Sequence, residues 1–183
     1  MNGYKNCLAI VLLVICNASL FVSNSWAQQK YPINISGEGV KSRYVQQLVI
    51  DVDDVSGHQV RAYENHRIYP ANKQAMVDGE RIVEVWGRGF SSYSSGIGPS
   101  WGYSTWITDK GNKIFLEYAG TSETQATESG SKRGTYHGTG KLVGGTGRFS
   151  KIRGNMVDVT QFDTDPKTGY VNGDSHGEYW FEK

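Results

Sequence analysis

The chain of 183 residues has only two cysteines, Cys7 and Cys16, and both fall within the first 27 positions. Everything downstream is free of thiols, which excludes a disulfide framework and a thiolate nucleophile there. An excess of one charge is lacking too. The 19 Lys and Arg residues face 18 Asp and Glu residues, and Lys5 is the only charged residue among the first 27, so the remainder is formally neutral. A binder of nucleic acid normally shows a basic excess or stripe, because phosphate neutralisation drives its affinity. The nearest approach is Lys141, Arg148, Lys151 and Arg153 around one turn, which reads as a solvated loop end rather than a polyanion site. Zinc motifs are missing as well: there is no His-Glu-x-x-His and no close histidine pair. The glycine fingerprints of nucleotide sites are also absent. No metal and no organic cofactor is expected.

What is present begins with an export signal. Lys5 supplies the charged start, residues 8–15 form an unbroken apolar run, and Ser25-Trp26-Ala27 offers small residues at a cleavage site. The competing reading is a membrane anchor, but Asn17 and Ser19 interrupt the apolar stretch short of the roughly 20 residues that cross a bilayer. The expectation is a signal peptide over 1–27, an extended lead-in over 28–39 and a single domain over 40–183, secreted or periplasmic, with no membrane span in the mature chain. A mature chain of this length buries about two thirds of its unfolded surface, enough for one core without staples.

Several segments then alternate with period two, the pattern of half-buried strands, and nothing after the signal carries a long helical period. Strands are expected over 44–52, 58–69, 80–93, 102–108, 113–124, 133–143, 154–164 and 170–181. Asp109-Lys110-Gly111-Asn112 reads as a hairpin turn, and polar or proline-containing turns fall at 128–131 and 165–169. The stretch 70–79 is long enough for a flap or a short helix. An antiparallel set of this size must close on itself or pack on a second sheet. Glycines at 134, 138 and 140, on one face with Tyr136 and Leu142, favour sharp bending and closure. The fold expected is all-β, an eight-stranded antiparallel closed β-barrel, with a β-sandwich as the alternative.

The run Thr135-Tyr-His-Gly-Thr-Gly-Lys-Leu-Val-Gly-Gly-Thr-Gly-Arg-Phe-Ser-Lys-Ile-Arg-Gly154 resembles the signature of the allene oxide cyclase barrel-like group, whose barrel the dirigent proteins share. The similar part is the Gly-Thr-Gly-Arg-Phe turn followed by a basic-apolar-basic-Gly step, and the strand layout extends the likeness over most of the mature chain. The resemblance implies a calycin-type barrel without metal or organic cofactor. Members of the group cyclise fatty-acid epoxides, orient phenoxy radicals or cyclise polyketides, and they often associate into homo-oligomers. Their functional residues lie elsewhere and differ between branches, so no catalytic identity carries over.

Candidate site residues come from the aromatic supply, which is concentrated between Trp86 and Tyr118. Trp86, Tyr93, Trp101, Tyr103, Trp106, Tyr118 and Tyr136, with Arg88 and His137, are candidates for holding a small apolar or aromatic molecule. The same rings could simply fill the interior, as side chains do in eight-stranded barrels. Glu84, Trp86, Arg88 and Phe90 share one strand face; turned inward they would set an acid or base beside an anion clamp, turned outward an exterior ion pair. His176, with Asp174 and Glu178 on its own face, could serve as a general acid or base set. The opposite assignment packs Tyr179 and Phe181 inside and leaves those polar groups in solvent. Glu84, His176 and Glu178 are therefore the catalytic candidates if the protein is an enzyme of the cyclase or isomerase type. The leading expectation is an exported, cofactor-free barrel that binds a small apolar or aromatic molecule; that enzyme and an envelope structural or interaction domain are its rivals.

Overall fold

The structure, a computed structural model, describes residues 28–126, 132–163 and 171–183. The expected signal peptide and the turns at 128–131 and 165–169 lie outside the described residues. Alternation of side chains produces ten strands: β1 (Tyr31–Ser36), β2 (Lys41–Asp51), β3 (His58–Ile68), β4 (Met76–Val77), β5 (Glu80–Ser94), β6 (Gly98–Thr108), β7 (Lys113–Ala126), β8 (Lys132–Gly145), β9 (Ile152–Asp163) and β10 (Val171–Phe181). They form one antiparallel sheet in the order β1-β10-β9-β8-β7-β6-β5-β3-β2, with β4 paired to the start of β5. The architecture is all-β, and each expected strand is found. The ladder does not close: among the described residues no register joins β2 to β1.

Two further strands come from segments not expected to be strands. The expected lead-in is a strand, β1, whose Ile33 lies opposite Gly177 of β10 and is buried with Ile35. The expected flap at 70–79 ends in β4, which turns through Asp78 and Gly79, both with positive φ, and tucks Val77 into the core. The serine-rich stretch after Phe90 is the tip of a long hairpin. Ser95 and Gly96 have φ of 53° and 83°, the two-residue turn that matches strand twist.

Apolar packing is gathered at one end of the sheet. Ile82, Ile114, Leu142, Phe149 and Ile152 are fully buried there beside Ile33 and Val77. A single 3-10 turn, Gly147–Phe149, delivers Phe149 to that core. Its start is pinned by two bonds: the Lys113 amide donates to Thr146 Oγ1 at 2.9 Å, and the Thr146 amide to the Lys113 carbonyl at 2.8 Å. Gly147, at φ 54°, must be glycine, since a Cβ would stand 2.4 Å from Asn112 Oδ1. Glu80 locks the same end. Its carboxylate accepts from Thr108 Oγ1 at 2.6 Å and from Asn112 Nδ2 at 3.0 Å, with Arg148 Nη1 at 3.8 Å. Burial alone would push this carboxyl up, but those hydrogen bonds and the Lys110 and Arg148 charges outweigh it and hold it below its ordinary value.

Candidate functional site

Above the apolar end, the inner faces of β1, β2, β3 and β5 to β10 surround one cavity of about 130 Å³. That shared lining shows that the sheet coils around an interior even though its ladder is open. Its walls differ from the plug below. β3 sends Arg61, Tyr63, Asn65 and Arg67 inward, followed by Tyr69, and alternation alone sets that face. Tyr44 of β2, Tyr93 of β5, Trp106 of β6, Tyr118 of β7 and Tyr136 of β8 complete the aromatic wall, and Asp158 of β9 is a carboxylate facing it.

The rings lie over glycines. A Cβ on Gly89 would meet Tyr118 Oη at 2.3 Å, and one on Gly138 would meet Tyr136 Oη at 2.1 Å, so any larger residue would displace the phenols. Tyr63 Oη hydrogen-bonds to Ser100 Oγ at 2.9 Å and to Tyr118 Oη at 3.0 Å, a chain of hydroxyls across β3, β6 and β7. Burial pushes the Tyr44, Tyr69, Tyr118 and Tyr136 phenols above their ordinary value, with Arg61 or Arg67 pulling part of the way back. They are neutral hydrogen-bonding groups at physiological pH.

Two cations stand among them. Arg61 lies 5.1 to 5.6 Å from the centres of the Tyr44, Tyr63 and Tyr93 rings. Its Nη1 donates to Gln47 Oε1 at 3.2 Å, and its Nε has no partner. Arg67 is enclosed by protein but keeps surface toward the cavity. Burial opposes its charge, and Tyr69 and Asp158 outweigh that effect, so it stays cationic. Its Nε and the Tyr136 hydroxyl also lack partners. Among the described residues neither arginine belongs to an ion pair, whereas Asp158 accepts a hydrogen bond from Thr160 Oγ1. Buried polar atoms without a protein partner are uncommon, and here three of them stand beside one cavity.

Of the residues singled out from sequence, Tyr93, Trp106, Tyr118 and Tyr136 line this cavity. The others stand on the outer face or in solvent. Glu84 bonds His66 Nε2 at 3.0 Å and accepts from Trp86 Nε1 at 3.3 Å, with His66 stacked on Trp86 at 4.1 Å between ring centres. Arg88 pairs with Glu64 at 2.8 Å. Trp101 stacks on Phe90, and Tyr103 is exposed. His137 is exposed, His176 bonds Asn34 Oδ1 at 3.0 Å, and Glu178 pairs with Lys30. The three carboxylate and imidazole candidates are thus not brought together. Arg61, Tyr63, Arg67, Tyr44, Tyr69 and Asp158 escaped the sequence reading. The signal that could have found the first group is the single-face series Arg61, Tyr63, Asn65, Arg67, Tyr69, which the assumption of a solvated polar face hides.

Among the described residues no cluster of three or more His, Cys, Asp or Glu converges on a metal-sized space, and no helix is long and apolar enough to cross a membrane. Comparison of the chain with protein-family models, with curated proteins and with solved structures gave no match.

Proposed function

We propose that this chain is an exported, cofactor-free protein that holds a small aromatic molecule inside a coiled sheet working as a β-barrel, of the type suggested by the resemblance to the allene oxide cyclase and dirigent group. One observation carries the reading: the interior above the plug is not filled to apolar density but is walled by tyrosines and arginines whose Arg61 Nε, Arg67 Nε and Tyr136 hydroxyl have no partner. Such groups suit a barrel that receives a polar guest better than one serving only its exterior, because a buried donor or acceptor left without any partner costs on the order of 1–3 kcal/mol. Tyrosine and tryptophan walls offer ring faces for stacking and hydroxyls for orientation. The test is native mass spectrometry of the protein purified from periplasm or medium. A co-purifying aromatic compound of low mass, lost when Tyr118→Ala and Tyr136→Ala are combined, is expected; bare protein that also ignores an aromatic fragment library in thermal-shift assays would overturn the proposal.

A second reading, a cofactor-free isomerase or cyclase, is favoured by one observation. Asp158 faces the same cavity as Arg67 and Tyr136, close enough to bias both electrostatically. A carboxylate beside neutral phenols can take a proton from a bound molecule while a phenol returns one. Turnover of the co-purified compound, abolished by Asp158→Asn without loss of binding, would separate catalysis from carriage.

A further inference from the structure

The charge balance of the cavity narrows the ligand class beyond an aromatic molecule. Two guanidiniums and one carboxylate face the interior directly, Arg61 and Arg67 against Asp158. Arg43 and Asp163, opposite in sign, also line it. The interior therefore carries a positive excess inside a chain whose formal charge is close to zero. The two arginines are not equivalent. Arg67 shares its end of the cavity with Asp158, which counters its charge. Among the described residues Arg61 has no such counter-charge within ion-pair distance: it is ringed by Tyr44, Tyr63 and Tyr93, and its hydrogen bond goes to the neutral Gln47. A guanidinium has five N–H donors in a planar fork suited to carboxylate. The neighbouring tyrosine rings lower the polarity around such a bond and strengthen it without supplying a negative partner.

Size adds a second limit. An apolar cavity of about 150 Å³ accepts one benzene ring, and the cavity here, about 130 Å³ and not fully enclosed, has room for no more than one ring, whose polar substituents must extend beyond the enclosed part. The acceptor oxygens of Asp158 and the unpartnered Tyr136 hydroxyl suit a ligand that also bears a hydroxyl.

Resting on the binding function argued above, we infer that the ligand is a one-ring, hydroxylated aromatic monocarboxylate, with Arg61 as the residue that recognises its carboxylate. Arg61 binds the anion, the tyrosines sandwich the ring, and Asp158 with Tyr136 engages the hydroxyl. Phosphate or sulfate without a ring leaves the aromatic walls unused and binds weakly.

Isothermal titration of the full chain with 4-hydroxybenzoate, 4-hydroxybenzamide and 4-hydroxybenzylamine tests this, since the three share ring and hydroxyl and differ in charge. The acid is expected to bind about tenfold or more tightly than the amide, consistent with a charge-assisted bond replacing a neutral one, and the protonated amine least. Arg61→Gln is expected to bring acid and amide within about twofold of each other, while the outer-face variant Arg88→Gln leaves the preference intact. If Arg61→Gln does not fold, the ligand series on the unaltered protein decides alone. Equal affinity for acid and amide overturns the carboxylate assignment and leaves aromatic binding standing. Inorganic phosphate binding as tightly as the acid overturns the aromatic part. Silence from all three ring compounds overturns both this inference and the binding function beneath it.

Discussion

Tyr118 shows how a single side chain ties the sequence to the site. Its hydroxyl lies over Gly89 and Gly102 and bonds Tyr63, so the glycines of β5 and β6 are cut-outs for a phenol rather than points of freedom. Gly89→Ala would place a methyl 2.3 Å from Tyr118 Oη and 2.8 Å from both Tyr63 Oη and the Trp101 carbonyl. The backbone contact cannot rotate away, so the variant is expected to lose about 1–3 kcal/mol by overpacking. Urea denaturation checks it, and a midpoint unchanged from the parent counts against the described packing. The raised phenols make a second prediction. Tyr44, Tyr69, Tyr118 and Tyr136 ionise above the ordinary tyrosine value when folded, chiefly because burial disfavours the phenolate. Their stabilising effect is fully present below the unfolded value of about 10 and is lost as pH rises beyond it toward the folded values. Absorbance at 295 nm should show a fraction of tyrosines that ionise only as near-ultraviolet circular dichroism collapses. Smooth titration of every tyrosine with the dichroism preserved would contradict that burial.

At the scale of elements, the turn after β8 and the strand β3 teach opposite lessons. The glycine-rich corner was legible because its backbone chemistry is local: Gly144 and Gly147 have φ of 147° and 54°; the bond that Thr146 accepts from the Lys113 amide at the start of β7 is the long-range part. The turn's purpose is to seat Phe149, which is fully buried between β7 and β10 neighbours. Phe149→Ala should cost about 3–5 kcal/mol, measurable by denaturation, and a loss under 1 kcal/mol would mean that the turn is not an anchor. The hairpin at Asp109 and the positions of all eight expected strands were legible for the same reason, since turn chemistry and period-two alternation are written within a few residues. β3 was legible as a strand but not as the wall of a site. Which of its faces looks inward depends on β2 and β5, and a polar series such as Arg61, Tyr63, Asn65, Arg67 defaults to solvent until a cavity is known to receive it. On β5 the same ambiguity ran the other way: Trp86 is aromatic yet outside, because the small residues Gly87 and Gly89 take the inner face to make room for Asn65 and Tyr118. β1 was read only as an extended lead-in although Ile33 and Ile35 alternate with Asn34 and Ser36, because its six residues pair with the distant β10, and β4, two residues long, is too short to show a period.

Across the whole molecule, stability and binding are segregated along the sheet, and its open seam sets where it yields first. β6, β7 and β8 have hydrogen-bonded neighbours on both sides, whereas β1 and β2 have one each. The two edges differ. β1 is short and buries Ile33 and Ile35 against the plug, so its side chains hold it although one backbone edge is free. β2 is eleven residues long, and past its bulge at Tyr44/Gln46 it is exposed throughout, with Leu48 at 61% and Ile50 at 53%. It is anchored there by pairing with β3 alone, since few buried apolar contacts back it. Local opening follows contact density and burial rather than secondary structure as such. Hydrogen exchange read by mass spectrometry should therefore rank peptides from 46–51 as the fastest-exchanging strand segment, those from β7 as the slowest, and β1 between them. A ligand seated against Arg61 and Tyr63 would brace β3 and slow the exchange of β2 by a smaller factor, because β2 reaches the cavity mainly through Tyr44. Protection of 46–51 equal to that of β7 in the free protein would be incompatible with a one-sided edge and would require a partner strand along it.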